Sequence, residues 1–320
     1  MGVIERYRDR LPVSAETPVV SLGEGSTPLL QARRLSRRLG IELWLKWEAA
    51  NPTGSYKDRG MTLAVSKALE DGRRALVCAS TGNTAASAAA YGARAGLPVV
   101  VLQPLGAVAA GKLAQTRALG ARVLEVRGSF DAALDAAREL ATRGTHELLN
   151  SLNPHRIDAQ RTAVFEIVEE LGSVDALYIP YGGGGNATAY ALGLRELGLT
   201  GAVRLVAAQA ADRPGTAATA IRIAAPAHAT RVGASGAEIA TVDDDQILAA
   251  WRALAREEGL FCEPASAAGL AALMAERSPS PTVVCTITGH GLKDPQYADR
   301  HAPAATIVEA DADAIAEAAG

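Results

Sequence analysis

The chain has 320 residues, 48% of them hydrophobic and 21% charged, which is enough to bury a large core in two lobes. Its formal net charge of −3 comes from 32 basic and 35 acidic residues, too small an imbalance to attract nucleic acid or an anionic membrane. Cys78, Cys262 and Cys285 show no metal-binding or redox spacing, and no apolar run suits a signal peptide or a membrane span. We therefore expect a cytoplasmic protein with buried free thiols and no metal.

In chain order, residues 18–30 are predicted to form a short strand followed by a glycine-rich turn. Residues 41–47 alternate with a period of two, which indicates a strand with one exposed face. From residue 75 onward, strands and helices alternate with short connections: strands 75–79, 99–102, 122–126, 147–149, 176–180, 203–208 and 282–287, and helices 84–95, 108–119, 130–142, 157–171, 186–197, 243–258 and 265–276. This alternation predicts an α/β fold with a parallel sheet covered by helices on both faces. Residues 211–240 have no clear pattern, and the tail after Pro303 is predicted to be a loosely attached strand and helix.

The most informative stretch is 51–60, Asn-Pro-Thr-Gly-Ser-Tyr-Lys-Asp-Arg-Gly. Its Asn-Pro and Thr-Gly pairs predict a turn, and Ser55 followed by Asp58 has the pattern of a capping box, which predicts the start of a helix. Lys57 then falls in the first helical turn, where the helix dipole disfavours a cation. The neutral amine that a nucleophile needs is thereby favoured, although a surface lysine explains this stretch equally well.

Three loops share one design, in which an apolar strand meets a short turn rich in glycine and hydroxyl groups and then a helix. They are residues 80–84, 181–186 and 288–291. Helix N-termini with free N–H groups at the carboxyl ends of strands are typical anion sites of α/β proteins. The first loop, Ser-Thr-Gly-Asn-Thr, has more capping residues than one helix requires, with ordinary N-capping as the alternative. In the third loop, we favour the Thr288 hydroxyl over His290 as the functional group.

The second loop contains four successive glycines, Gly182, Gly183, Gly184 and Gly185, followed by Asn186. Such a run is entropically costly and suits a backbone that closely approaches a ligand, with a phosphate as the leading candidate. The loop also fits the glycine pattern of dinucleotide-binding folds. That pattern needs an acid at the end of the next strand, and residues 203–208 offer none. A single phosphate therefore fits better than a pyrophosphate.

Arg156 also lies near a predicted helix start, where its guanidinium could bind a phosphate or carboxylate with two hydrogen bonds; a surface arginine is the alternative. A lysine in a first helical turn, a glycine loop for one phosphate and further anion sites together suggest a cofactor with an aldehyde and a single phosphate. Pyridoxal 5'-phosphate has both groups, and Lys57 would form its Schiff base.

These motifs resemble those of the bacterial threonine synthases, in the tryptophan-synthase-β-like (fold type II) group of pyridoxal-phosphate enzymes. The resemblance covers nearly the whole chain, through residues 21–28, 51–61, 79–84, 150–156, 263–267 and 288–295. The Lys-Asp-Arg-Gly sequence and the Thr-Gly-His-Gly-Leu-Lys sequence are the most specific of these motifs within the group.

The resemblance implies two open, mostly parallel twisted sheets flanked by helices, with a smaller lobe inserted in a larger one and the active site in the cleft between them. The larger lobe would comprise residues 1–50 and 146–320, and the smaller lobe residues 51–145. The implied enzyme is a phosphate lyase and a homodimer. It would convert O-phospho-L-homoserine and water to L-threonine and phosphate by γ-elimination and β-replacement.

The resemblance also implies roles for individual residues. Lys57 would hold the cofactor and then move protons, Asn83 would bind the phenolic oxygen of the cofactor, and Thr288 would face its pyridine nitrogen. The loop from Gly182 to Asn186 would bind the cofactor phosphate. The substrate amino acid would be bound by Ser80, Thr81 and Thr84. The substrate phosphate would be bound by Asn150, Ser151 and Arg156, with Asn186 as a further candidate. Water would add near Thr84.

Two features differ from the family pattern. The four glycines replace the usual Gly-Asn-Ala-Gly-Asn and resemble the serine/threonine dehydratases of the same fold, and residues 209–240 form a shorter segment than in the family. A dehydratase, or an enzyme acting on another phosphorylated amino acid, is therefore the alternative. Arg156 distinguishes the first of these, because a dehydratase substrate brings no phosphate. An inactive regulator or a nicotinamide-binding protein is the alternative from another class.

Overall fold

The structure, a computed structural model, describes residues 1–106, 113–277 and 279–319. The described strands are β1 (Leu29–Gln31), β2 (Glu42–Trp47), β3 (Ala75–Ala79), β4 (Val99–Pro104), β5 (Arg122–Val126), β6 (His146–Leu148), β7 (Ala176–Pro180), β8 (Arg204–Ala210), β9 (Glu238–Val242) and β10 (Thr282–Ile287). The described helices are α1 (Val3–Arg6), α2 (Arg33–Leu39), α3 (Lys57–Glu70), α4 (Asn83–Ala95), α5 (Ala114–Ala118), α6 (Phe130–Thr142), α7 (Pro154–Gln160), α8 (Thr162–Leu171), α9 (Gly185–Glu196), α10 (Ala229–Ala234), α11 (Asp244–Glu258), α12 (Ala268–Ala275), α13 (Pro295–His301) and α14 (Ala312–Ala319).

The strands form two sheets, one with the order β1-β2-β10-β7-β8-β9 and one with the order β5-β4-β3-β6. Every pairing is parallel except that of β1 with β2, which is antiparallel. The four-stranded sheet uses a continuous part of the chain, from β3 to β6, while the six-stranded sheet uses strands on both sides of it. The predicted fold, a smaller lobe inserted in a larger one, is therefore confirmed.

Both sheets are covered on two faces, as the apolar strand sequences require. On the six-stranded sheet, α2, α11 and α12 bury one face with side chains such as Leu254 and Leu270, and α8 and α9 bury the other with Ile167 and Leu194. On the four-stranded sheet, α3 and α4 pack one face and α6 the other, mainly through alanines. Small alanine side chains let these helices lie close to the sheet, so the carboxyl ends of its strands are held firmly.

Several predicted elements match in both position and type: the strands over residues 75–79, 122–126, 176–180 and 282–287 agree at both ends. Other predictions were wrong in detail. Residues 18–28 form no strand, because their backbone is held by side chains, for example Val20 N–H by Ser66 Oγ at 2.9 Å. The helix predicted over 157–171 is divided between α7 and α8, where Val164 N–H bonds to Arg161 O, three residues back.

The remaining predictions changed only in extent. The helix predicted over 265–276 begins with a 3-10 turn before α12, and the tail contains α14 without a strand. Of the helix predicted over 108–119, α5 is observed, while residues 107–112 lie outside the described residues. The segment without a clear pattern contains a short 3-10 turn, α10 and most of β9. Within the part of the chain that the structure describes, no helix combines the length and apolarity that crossing a membrane requires.

Candidate active site

The lysine turn leads into α3, which begins at Lys57 as predicted. The predicted capping box is wrong, because Asp58 does not cap the helix. Its carboxylate instead accepts hydrogen bonds from Thr53 N–H at 2.7 Å, from the Thr53 hydroxyl at 2.6 Å and from the Ser87 hydroxyl at 2.6 Å. Burial raises the pKa of Asp58 to about 6, against the effect of these hydrogen bonds. Asp58 thus ties the lysine turn to α4, and the buried Ser55 hydroxyl has no partner among the described residues.

Lys57 is half-buried and carries an amine that forms no ion pair with a described residue. Its Nζ donates a hydrogen bond to the hydroxyl of Tyr56 and lies 4.1 Å from the centre of the Tyr56 ring. The amine is thus held by the hydroxyl and the ring of Tyr56, and no carboxylate is paired with it in the described structure. The amine is therefore available for covalent chemistry.

The lysine turn is joined to the loop that follows β10, across the two lobes. Tyr56 N–H donates to Thr288 O at 3.0 Å, and His290 N–H donates to Gly54 O at 2.9 Å. These backbone hydrogen bonds bring the predicted Thr288 hydroxyl to the same cleft as the amine. That hydroxyl lies 2.9 Å from the hydroxyl of Ser266.

The glycine loop follows β7 and ends at the start of α9, and its carbonyl groups are held from behind. Arg213 donates to Gly182 O at 2.7 Å, and His228 N–H donates to Gly183 O at 3.1 Å. Gly184 has φ +88°, and a Cβ there would lie 3.1 Å from the His228 Cβ. Because these carbonyls are occupied on one side, the N–H groups at the start of α9 are left for an anion.

Arg156 lies in α7, which packs closely on the lysine helix. A Cβ on Gly60 would be 2.8 Å from Arg156 O, so glycine permits this approach. The guanidinium is 1% exposed and donates one hydrogen bond, to Leu149 O at 2.9 Å. Its Nε and its second terminal nitrogen have no partner among the described residues. Burial lowers the pKa of Arg156, and only the Tyr56 and Cys78 side chains oppose this effect. A buried cation without a carboxylate is costly, so this position calls for an anionic ligand.

The loop after β6 connects this arginine to the glycine loop. Ser151 O accepts a hydrogen bond from His228 Nε2 at 2.9 Å, and a Cβ on Gly185 would lie 3.6 Å from the Ser151 Cβ. Asn150 is turned the other way: its Oδ1 accepts from Ala79 N–H at 2.9 Å and its Nδ2 donates to Ala79 O at 2.8 Å. Asn150 thus joins the ends of β3 and β6, with one Nδ2 hydrogen left over.

The residues of the hydroxyl loop after β3 differ in burial and in hydrogen bonding. Ser80 is buried and accepts hydrogen bonds from Gly82 N–H at 3.3 Å and Ala85 N–H at 3.2 Å, so it satisfies a free N–H group in the first turn of α4, although Gly82 is the N-cap residue. Thr81 and Thr84 are partly exposed at the start of the same helix. Their hydroxyls lie close in the chain to the free N–H groups of the helix N-terminus, a combination that suits a small anion.

Two asparagines carry amide groups at the cleft. Asn83 Nδ2 donates to Glu263 Oε1 at 2.8 Å, which connects α4 to the loop before α12. Asn186, in the first turn of α9, is 6% exposed, and its Nδ2 has no partner among the described residues. A buried amide donor beside a glycine loop is a second unsatisfied group that suits a phosphate oxygen.

The residues present fit pyridoxal phosphate. The amine of Lys57 suits the aldehyde, and the start of α9 with the unpartnered Asn186 amide suits one phosphate. The unpartnered guanidinium of Arg156 offers a separate place for a second anion. An α/β fold with these groups at the carboxyl ends of its strands is that of a pyridoxal-phosphate enzyme of the two-lobed type.

Comparisons with known proteins agree with this class. The family model described as pyridoxal-phosphate dependent enzyme matches residues 20–289. The threonine synthase of Halalkalibacterium halodurans is 48% identical over 93% of this chain and 91% of its own, and that of Mycobacterium leprae is 47% identical over 100% and 96%. The chain therefore belongs to the pyridoxal-phosphate-dependent enzymes, and within them to the threonine synthase family. Among solved structures, maize serine racemase has the same fold, with a TM-score of 0.78 at 19% identity over 93% of this chain and 95% of its own.

Sequence reasoning gave no individual role to five residues that support the site: Tyr56, Arg213, His228, Glu263 and Ser266. Glu263 and Ser266 lie in the motif 263–267 of the family resemblance, and Tyr56 lies in the lysine turn. Arg213 and His228 lie in the segment without a clear pattern, where no periodicity could indicate which side chains face the glycine loop. Burial lowers the pKa of His228, and the charges of Arg231 and Arg156 act in the same direction.

Proposed function

We propose that this protein is a threonine synthase, which converts O-phospho-L-homoserine and water to L-threonine and phosphate. The observation that carries the proposal is the buried guanidinium of Arg156, which lacks a carboxylate partner in the described structure and lies next to the lysine helix. A substrate with its own phosphate would neutralise this charge. The relatives of similar length that are threonine synthases support the same activity.

Pyridoxal phosphate, when bound, supplies an electron sink for the carbon atoms next to the substrate amino group. Lys57 is assigned to hold the cofactor and, once released, to take protons from the α- and β-carbons of the substrate as its phosphate leaves, and to return protons to the γ-carbon, which becomes the methyl group, and to the α-carbon, while water supplies the β-hydroxyl. Tyr56 orients the amine through its hydroxyl group.

For the cofactor, we assign four contacts. Asn83 would donate to the phenolic oxygen, and Thr288 would face the pyridine nitrogen with a neutral hydroxyl. The loop from Gly182 to Gly185 and the amide of Asn186 would bind the phosphate. The support comes from the contacts that Arg213 and His228 make with the loop carbonyls and from the unpartnered Asn186 amide.

For the substrate, the hydroxyls of Thr81 and Thr84 and the start of α4 would bind the carboxylate, with Ser80 holding this loop in shape. Arg156 and Ser151 would bind the phosphate. Asn150 would contribute its one remaining amide hydrogen. Thr84 is also assigned to the region where water adds, because it lies at the exposed start of α4.

The test offers purified wild-type protein O-phospho-L-homoserine, L-threonine and L-serine in separate reactions and identifies the products. We expect L-threonine and phosphate from the first, and formation of 2-oxobutyrate from L-threonine at a comparable rate would instead identify a dehydratase. Lys57→Ala should abolish product formation and the absorbance of lysine-bound cofactor while leaving the melting temperature within a few degrees. A variant that still turns over would refute the role of Lys57.

Three further features are part of the proposal. We infer a homodimer in the cytoplasm, with lobe boundaries near residues 50 and 145, on the basis of the family resemblance. Cys78, Cys262 and Cys285 are buried free thiols, which fits a reducing compartment. The boundary near residue 145 lies just before β6, which pairs with β3 and extends the four-stranded sheet to Leu148. Light scattering on the purified protein tests the dimer.

A further inference from the structure

Residues 263–266 lie between α11 and α12 and contact two of the residues assigned to the cofactor. Glu263 Oε1 accepts the hydrogen bond of Asn83 Nδ2 at 2.8 Å, and Ser266 Oγ lies 2.9 Å from Thr288 Oγ1. Asn83 belongs to the smaller lobe and Thr288 to the larger one. The segment therefore connects the two residues that would contact the phenolic oxygen and the pyridine nitrogen of the cofactor.

The backbone of this segment is itself fixed. Glu263 N–H donates to Gly289 O at 3.0 Å, Gly289 N–H donates to Ser266 Oγ at 2.8 Å, and Ser266 N–H donates to Glu263 O at 3.0 Å. Both side chains are buried, Glu263 at 5% exposed and Ser266 at 0%. A buried, fully hydrogen-bonded network of this kind holds its members in one geometry.

Gly289 explains why the carboxylate can reach Asn83. A Cβ at position 289 would lie only 2.3 Å from Glu263 Oε1, so any larger residue would displace the carboxylate. The glycine therefore serves the contact between Glu263 and Asn83 and not a turn with positive φ, since it has none.

The hydrogen bonds also limit the direction of the Thr288 hydroxyl, because either this hydroxyl or that of Ser266 donates in their shared contact. Ser266 Oγ already accepts from Gly289 N–H, and its single proton can go to Thr288 Oγ1 at 2.9 Å or to Gly289 O at the longer distance of 3.3 Å. The shorter contact is the stronger one. When Ser266 donates to Thr288, the proton of Thr288 is left to donate into the cleft.

We propose that Glu263 and Ser266 are positioning residues for the cofactor ring: Glu263 orients the amide of Asn83, and Ser266 orients the hydroxyl of Thr288. This inference rests on the roles of Asn83 and Thr288 in the proposed function. It predicts that each positioning residue acts only through its partner. Loss of Glu263 matters because Asn83 then turns freely, and loss of Ser266 matters because Thr288 does.

The experiment is a pair of double-mutant cycles read out by the cofactor dissociation constant and by the pH titration of bound-cofactor absorbance. Glu263→Ala should weaken cofactor binding by about tenfold, as expected for one lost hydrogen bond to a charged group, and shift the titration. Glu263→Gln keeps an acceptor oxygen for Asn83 Nδ2 and should recover most of the affinity. The variant with Glu263→Ala and Asn83→Ala should bind no more weakly than Asn83→Ala alone.

The second cycle combines Ser266→Ala with Thr288→Ala, and the same lack of additivity is expected. Additive losses in both cycles, or wild-type absorbance and affinity in Glu263→Ala and Ser266→Ala, would overturn the proposal. These readouts need no turnover. If both cycles are non-additive and the wild type binds the cofactor but makes no threonine, the proposed function is refuted and this inference stands.

Discussion

Two arginines, Arg59 and Arg156, are both 1% exposed or less, yet their surroundings differ completely. Arg59 binds Glu48 at 2.7 and 2.8 Å and Glu166 at 2.7 and 2.6 Å, so two carboxylates occupy its guanidinium. Arg156 donates one hydrogen bond to a backbone carbonyl and leaves two nitrogens without a partner in the described structure. The paired arginine stabilises the fold, and the unpaired one is the residue that we propose for the substrate phosphate.

The pKa directions agree with this contrast. Burial would lower the pKa of Arg59, but the charges and hydrogen bonds of Glu48 and Glu166 raise it well above the ordinary value. For Arg156, burial lowers the pKa, and no carboxylate is among the groups that oppose it. Arg59 also lies two residues after Lys57, so its ion pairs anchor the first turn of the lysine helix. One short motif thus contains both the lysine that we propose for the cofactor and the arginine that anchors its helix.

The largest effect should come from breaking the paired arginine. Arg59→Met removes the ion pair of the buried Glu48 and leaves Glu166 paired with Lys46 alone, and we expect the free energy of unfolding to fall by about 3–5 kcal/mol. Urea denaturation followed by circular dichroism measures this change. Arg156→Met is the matched control, and it should change the free energy by no more than about 1 kcal/mol, the contribution of one hydrogen bond. Equal losses in the two variants would contradict the comparison.

Acid should weaken the Arg59 network through Glu166. Burial by itself would raise the pKa of Glu166, but Arg59 and Lys46 outweigh it and lower the pKa from 4.5 to about 2. Since the unfolded chain binds this proton at the higher pH, the stabilisation is complete above pH 4.5 and is lost as the pH falls toward 2. Urea midpoints between these pH values should fall more steeply for the wild type than for Glu166→Gln. Parallel curves would argue against the role of Glu166.

Breaking the unpaired arginine should affect catalysis. Arg156→Met should lower kcat/KM for O-phospho-L-homoserine by about 10- to 100-fold, because hydrogen bonds to charged groups contribute about 1.5–3 kcal/mol. Cofactor loading, followed by absorbance, should stay near that of the wild type. Arg156→Lys keeps the charge but not the planar fork and should recover only part of the activity. An unchanged Michaelis constant in Arg156→Met would refute the assignment.

The smallest effect is the response to inorganic phosphate. Cofactor-loaded wild type should be stabilised by phosphate, by about 1.4 kcal/mol at ten times the dissociation constant, while loaded Arg156→Met should respond much less. Thermal melts in phosphate and in sodium chloride of equal ionic strength measure the difference. Identical shifts in both proteins would mean that Arg156 does not bind the phosphate.

Much of the fold follows from local patterns. Strands such as β3 and β10 are short apolar runs between turn residues, and their bounds could be predicted because burial on both faces makes each strand a continuous apolar run with clear ends. The local sequence could not show that the capping box predicted at Ser55 and Asp58 is absent, because the partners of Asp58 include Ser87, from the next helix. Likewise, Asn150 has a polar side chain suited to a phosphate, but the backbone of Ala79 occupies it.

The sequence alone was sufficient to place Lys57 at a helix start, to predict a phosphate at the four glycines and to indicate the cofactor class, because these features depend on residues close together in the chain. It could not decide which arginine is paired. Glu166, which neutralises Arg59, is far from it in the sequence, and the approach of α3 to α7 at Gly60 brings Arg156 beside the lysine helix without a carboxylate. Only the tertiary structure decides such pairings, since burial and charge partners are set by contacts between distant elements.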